Sequence, residues 1–296
     1  MISPVRTPTL RTTHAPVHSA LGATPAPGDI TATELGKPQP GSTVVDFNRH
    51  AATTAAQHAV NLATQFFLAA GLGLTSGVGP AQLRIFGPGD RNADATSSSP
   101  SPWLDGGRVI RLDFHNGISD AFRVDIVAHE YAHGVIERFI RSNTPEANAL
   151  NEALADVFAV AIENRDESVD GRMLMTGDAY WTIAQIRRAK IGPADHHGEH
   201  LMMGVATRPA AYVLRQCGRA TMARLYLDAM TRYMNGLPET FAGFAVATLR
   251  AAAARFGTAS VEYRALRDGW DSTGLSASEL RRRLTGRARE LATRLP

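Results

Sequence analysis

Apolar residues form one helix-like stretch and two short strand-like stretches in the first part of the chain, and a long succession of helix-like stretches after them. Over residues 49–72 they recur every three or four positions, which predicts a helix. Residues 82–86 and 109–114 are short apolar stretches beside Gly and Pro, as strands often are. Helical spacing returns over 121–141 and 146–163. Later helices are predicted at 180–190, 207–217, 220–234, 240–256 and 260–271.

Composition divides the chain into four segments. Residues 1–45 hold seven of the sixteen prolines and few large apolar side chains, so we expect a disordered tail or a short prosegment there. Residues 46–142 are predicted to form an N-terminal α+β lobe, and residues 143–275 a helical C-terminal lobe. Residues 276–296 carry leucines at helical intervals opposite arginines, which predicts a basic amphipathic extension.

Composition and charge then narrow the classes of protein. The chain is 44% hydrophobic and 20% charged, enough to bury a core. It has no apolar run of the roughly 18 residues that a membrane span needs, and no apolar core of a signal peptide. We therefore expect a cytoplasmic protein, or one exported by a non-classical or specialised route. Residues 276–296 hold six arginines and two glutamates, so this segment alone carries more positive charge than the whole chain, whose net charge is +3. The remainder of the chain therefore has no basic field that would attract nucleic acid.

The predicted helix over 121–141 contains a His-Glu-x-x-His pattern. His129 and His133 lie four residues apart on one helical face, so both imidazoles can bind the same zinc ion. Glu130 follows the first histidine and would lie beside such a metal without being a ligand. Because Cys217 is the only cysteine, a metal has to sit on His, Asp and Glu side chains. The pattern indicates a zinc site, with two surface histidines as the structural alternative.

The next predicted helix carries two carboxylates at the same four-residue spacing, Glu152 and Asp156. One of them can complete a zinc set of two histidines and a carboxylate. The other can accept a hydrogen bond from the free ring nitrogen of a liganding histidine. Three protein ligands leave a fourth position for water, which is typical of a catalytic zinc rather than a structural one.

These motifs resemble those of the thermolysin-like zinc metallopeptidases, over about residues 46–274. The segments that carry the resemblance are Val127-Ala128-His129-Glu130-Tyr131-Ala132-His133, Asn151-Glu152-Ala153-Leu154-Ala155-Asp156-Val157-Phe158 and Asp195-His196-His197-Gly198-Glu199-His200-Leu201-Met202-Met203-Gly204. The resemblance implies a two-lobed α+β fold, with a reduced N-terminal lobe that carries the zinc helix and a mainly helical C-terminal lobe.

The resemblance also implies a role for each matching residue. His129, His133 and Glu152 match the zinc ligands, and Glu130 matches the base that activates the zinc-bound water. The remaining matches are Asn151 and Asp156 as hydrogen-bond partners of the histidines, His200 as the group that stabilises the oxyanion, Asp195 as the carboxylate orienting it, Asn92 and Arg187 as weak substrate-binding matches, and Asp125 and Glu163 as ligands of a possible calcium ion.

The implied activity is hydrolysis within protein or peptide substrates, before hydrophobic residues, by a monomer with one catalytic zinc. The basic extension would dock onto the protein's own surface, or bind an acidic partner or a membrane surface. Two other functions stay open. The interval of eighteen residues between His133 and Glu152 is that of a zinc aminopeptidase family. No tyrosine precedes Glu152 where the resemblance expects one, which leaves room for a zinc-retaining pseudoenzyme or binding module.

Overall fold

A computed structural model describes residues 32–34, 49–73, 78–79, 81–85, 109–112, 114–115, 118–163 and 199–295. Its strands are β1 (Ala32–Glu34), β2 (Gln82–Ile85), β3 (Val109–Leu112), β4 (Phe114–His115) and β5 (Ile118–Ser119). Its helices are α1 (Arg49–Ala69), α2 (Val124–Ile136), α3 (Pro145–Glu163), α4 (Glu199–Met202), α5 (Gly204–Cys217), α6 (Arg219–Asp228), α7 (Phe241–Phe256), α8 (Val261–Ser272), α9 (Ala277–Arg283) and α10 (Gly286–Thr293). The described part is mostly helical, and none of its helices is long and apolar enough to cross a membrane.

Three short strands form a parallel sheet in the order β1, β2, β3, and α1 lies between β1 and β2 along the chain. Leu83 pairs with Ile110 and Ile85 with Leu112, and all four side chains are buried. The two apolar stretches that predicted strands therefore pair with each other. The first strand, β1, lies within residues 1–45, for which the sequence predicts a tail or a prosegment.

Three aromatic side chains join α1 to the next two helices. The Phe67 ring of α1 stacks on Tyr131 of α2 at 6.2 Å and meets Phe158 of α3 edge-on at 5.4 Å. All three are fully buried. Each aromatic side chain buries a large apolar surface, so this cluster fixes how α2 and α3 pack on α1.

The helix α2 is shorter than the helix predicted over residues 121–141. It starts after a 3₁₀ turn, Asp120–Phe122, in which the backbone N–H of Ala121 donates a hydrogen bond to the Ser119 hydroxyl. It ends at Ile136, where tight hydrogen bonds from Phe139 and Ile140 to the Ile136 carbonyl turn the chain and bury Ile140. A tight last turn of this kind satisfies the orphan carbonyls of a helix end.

The C-terminal extension differs from the single amphipathic helix that its leucine spacing predicts. It forms two helices, α9 and α10, separated at Leu284, whose backbone is extended, and by Gly286, whose φ is +51°. Leu280, Leu284 and Leu295 are buried, so the extension docks onto the body of the protein.

Candidate metal centre

Two packed helices bring the candidate ligands together. His129 and His133 lie on α2, and Glu152 lies on the facing side of α3, since the two helices pack along each other. Each histidine is 8% exposed. Burial of two imidazoles beside a carboxylate favours a defined polar arrangement over the solvated pair of surface histidines.

The ligand atoms of these three residues form a small triangle. The Nε2 atoms of His129 and His133 are 3.0 Å apart, and the Glu152 carboxylate oxygen Oε2 is 3.1 Å from the first and 3.6 Å from the second. A tetrahedral zinc with ligand bonds of about 2.0–2.1 Å separates neighbouring ligand atoms by about 3.3 Å. The residues present therefore fit a zinc ion in both chemistry and spacing.

The other ring nitrogen of each histidine is held by a partner on α3. Nδ1 of His129 lies 3.0 Å from an oxygen of Asp156, and Nδ1 of His133 lies 2.8 Å from the Asn151 side-chain oxygen. Both partners accept hydrogen bonds there, so both Nδ1 atoms carry a proton, and each Nε2 atom is the one available to a metal. Two Nε2 atoms and a carboxylate oxygen this close together repel one another unless a proton or a metal cation lies between them.

The electrostatics of His129 point the same way. Burial lowers the pKa of His129, but its hydrogen bonds to Asp156 and Glu152 outweigh burial and leave the pKa raised well above its ordinary value. The carboxylates that attract a proton to this imidazole also attract a metal cation. The centre is thus built to hold positive charge.

Glu130 lies beside the centre but is not part of the triangle of His129, His133 and Glu152. Its carboxylate lies within 4.8 Å of ligand atoms of His129 and His133. The Glu130 side chain is less buried than those of His129 and His133. A carboxylate at this distance can exchange a proton with a group bound at the centre.

Comparison with known proteins adds to this geometry. No protein-family model matches the chain. It is 28% identical to bacillolysin of Brevibacillus brevis over 178 residues, which are 51% of this chain and 33% of that protein. It is 26% identical to bacillolysin of Bacillus cereus over 186 residues, and 23% identical to an extracellular elastase of Staphylococcus epidermidis over 164. The matched region therefore makes up about a third of each relative's length.

A solved structure shares the fold. The precursor of protealysin, a metalloproteinase from Serratia proteamaculans, superposes with a TM-score of 0.59 at 17% identity, covering 86% of this chain and 90% of that one. The chain resembles the thermolysin-like metallopeptidases in sequence and in fold. The predicted resemblance is confirmed.

For four other predicted site residues the structure describes no side-chain geometry. His200 lies in α4, which packs against α3, but its side chain is outside the description. Asp195, Asn92 and Arg187 lie outside the described residues. Their predicted roles remain predictions.

The predicted calcium ligands are described, and a cation of the protein itself adjoins them. Asp125 is buried, and Arg123 donates to both of its carboxylate oxygens, at 3.1 and 2.5 Å. Glu163 ends α3 and is half-buried.

One anchoring residue carries no predicted role. The Tyr131 hydroxyl, between the two histidines in sequence, donates to the Gly79 carbonyl at 3.1 Å and accepts from the Gly79 N–H at 2.9 Å. It also lies 3.0 Å from the Thr64 hydroxyl. An aromatic residue with a polar end inside an otherwise small or charged motif is the only sequence signal for this tie.

Proposed function

We propose that the chain is a zinc-dependent metalloendopeptidase of the thermolysin-like kind. The observation that carries the proposal is the triangle of His129, His133 and Glu152, with both histidines oriented by residues of the same helix as the third ligand. Three protein ligands leave a coordination position open, which suits catalysis. The bacterial relatives named bacillolysin and the protealysin likeness support the same activity.

The residues would divide the reaction among them. His129, His133 and Glu152 would hold zinc, which when bound lowers the pKa of a water ligand and polarises a carbonyl group. Glu130 would accept the proton of the attacking water and later donate it to the leaving amine. Both transfers use one carboxylate at the open face of the centre.

We further propose that His200, oriented by Asp195, donates a hydrogen bond to the developing oxyanion. A donor of this kind contributes typically about a hundred- to a thousandfold in rate. Asn92 and Arg187 are proposed to bind the substrate backbone, with cleavage before hydrophobic residues. The packing of α4 against α3 supports the placement of His200 near the centre.

Cleavage of an unfolded protein such as casein tests the proposal. Wild type should bind one zinc per chain and cleave casein, and Glu130→Gln should keep zinc and lose cleavage, because the amide cannot accept the proton. In the same assay His200→Ala should lower kcat by about a hundred- to a thousandfold with zinc retained. Unchanged turnover in Glu130→Gln would remove the proposed base and with it the mechanism.

The two alternative functions give different results in this assay. Zinc at full occupancy with no cleavage of any protein or peptide would indicate a pseudoenzyme or binding module. Cleavage restricted to peptides with a free amino terminus, against amino-terminally blocked ones of the same sequence, would indicate an aminopeptidase. The thermolysin-like proposal expects blocked peptides to be cleaved as well.

The larger organisation is proposed on the same basis. An N-terminal α+β lobe, residues 46–142, would carry the zinc helix α2, and a helical C-terminal lobe, residues 143–275, would carry α3. Residues 1–45 would be a tail or a prosegment, and the chain would act as a monomer on protein substrates. The outward arginines of the extension, residues 276–296, leave a surface for an acidic partner. Light scattering of the purified chain, alone and with a polyanion at low and high salt, tests whether the chain is a monomer and whether the extension binds an acidic partner.

A further inference from the structure

The guanidinium of Arg123 pairs with Asp125 where the 3₁₀ turn meets α2, and the charges of Asp120 and Glu163 also act on it. Asp125 binds it through two hydrogen bonds in a forked arrangement. The hydrogen bonds that Arg123 donates to Asp125 make the largest contribution that raises the pKa of Arg123 against the effect of burial, and the charges of Asp120 and Glu163 raise it further. Arg123 thus lies within the field of all three acidic groups.

A buried carboxylate in this position needs a cation. Asp125 is 5% exposed, and an uncompensated charge at that depth is strongly destabilising. Either a guanidinium or a hard divalent ion can neutralise a group of carboxylates, and calcium takes six to eight oxygen ligands for this purpose. In this chain the guanidinium engages both oxygens of Asp125, in the planar geometry that arginine and carboxylate share.

We infer that the Arg123 guanidinium takes the place of a divalent cation among Asp120, Asp125 and Glu163, so that this region needs no calcium. The resemblance leads one to expect calcium at Asp125 and Glu163, and the residues present disfavour it, because a bound guanidinium repels a second cation. The inference concerns the stability of α2 and α3 and does not depend on peptidase activity.

The consequence reaches the metal centre through the helix. Asp125 lies one turn before His129 on α2, and Glu163 closes the helix that carries Glu152. Arg123 is bonded to Asp125 at the start of α2 and its charge attracts Glu163 at the end of α3, which favours the packing of the two helices beyond the centre itself. Because the cation is an arginine of the chain itself, this interaction between α2 and α3 does not depend on the calcium concentration.

The test compares zinc-loaded wild type, Arg123→Met and a matched control, in calcium-free buffer and with calcium added to about 1 mM, the upper range for weak protein sites. The control is Arg267→Met, since Arg267 pairs with its neighbour Asp268 at 2.8 Å and is 45% exposed, against 46% for Arg123. Melting temperature and calcium binding by titration calorimetry are the two readouts.

Wild type and Arg267→Met should bind no calcium at this cluster, and calcium should not change their melting temperatures. Arg123→Met should melt lower without calcium, bind one calcium ion and regain at least about 2–4 °C when it is added. Adding Asp125→Asn to Arg123→Met should abolish that response.

Two results would overturn the inference. One is calcium binding by wild type that Asp125→Asn removes, and this arm does not depend on whether Arg123→Met folds. The other is a folded Arg123→Met that shows no calcium response. Arg123→Lys, which keeps a cation, should remain insensitive to calcium.

Discussion

At the scale of single residues, the hydrogen bonds behind the ligands set how well the centre holds metal. Asn151 accepts from His133 Nδ1 at 2.8 Å and so fixes the tautomer that turns Nε2 towards the metal position. The neighbouring Asn148 on the same helix bonds instead to Asn143 at the surface. The two asparagines form a natural pair for comparison.

We expect Asn151→Ala to weaken zinc binding by about 10–100-fold, the usual cost of losing such a partner. Asn148→Ala should leave zinc affinity unchanged. Competition with a chromophoric zinc chelator at fixed pH measures both. Equal affinities in the two variants would show that Asn151 does not orient His133.

The ligand set is predictable from sequence because helical periodicity alone places it. His129 and His133 are four positions apart, as are Glu152 and Asp156, so each pair occupies one helical face before any tertiary structure is known. The two anchors that sequence reasoning misses depend on non-local or non-helical geometry. Tyr131 bonds to Gly79, 52 residues away, and Arg123 reaches Asp125 because its own backbone is extended, with φ −104° and ψ 106°.

At the scale of elements, a glycine sets the closest approach between two helices of the C-terminal part. Gly269 of α8 lies against Pro209 of α5, and a Cβ on Gly269 would come within 2.6 Å of the Pro209 Cα atom. The obstacle is backbone, which cannot rotate away. The two helices therefore pack at this distance only with glycine at position 269.

Gly269→Ala should destabilise the zinc-loaded protein by about 1–3 kcal/mol, the usual cost of overpacking, even though alanine favours a helix by up to about 1 kcal/mol. Gly73→Ala is the control, since a Cβ there meets nothing within 4 Å. Chemical denaturation measures both variants. A Gly269→Ala protein as stable as wild type would mean that α5 and α8 do not pack as described.

Helix positions are predicted better than helix ends. The helices at residues 49–72 and 146–163 are confirmed to within a few residues by α1 and α3. The predicted helix over 220–234 changes at Ala229 into a π-helix, and the extension divides at Leu284. Apolar periodicity reports which face is buried, whereas a change in hydrogen-bond pattern along the same face leaves that periodicity almost unaltered.

At the scale of the whole molecule, the metal centre joins parts that are distant in sequence. The Phe67, Tyr131 and Phe158 cluster supports α2 and α3 from α1, and α4 packs against α3 and α5. The likeness to the protealysin precursor at 17% identity shows that the two chains share a fold although their sequences differ extensively. The motifs alone predict the family resemblance, since they concentrate on the two helices that carry the ligands.

The measurement that tests the central claim most directly is an anomalous-scattering map of the crystallised protein at the zinc absorption edge. We predict one zinc peak about 2.0–2.1 Å from the Nε2 atoms of His129 and His133, with a Glu152 oxygen as the third protein ligand. A fully zinc-supplemented crystal with no peak among these three side chains, or with zinc held elsewhere, would contradict the account.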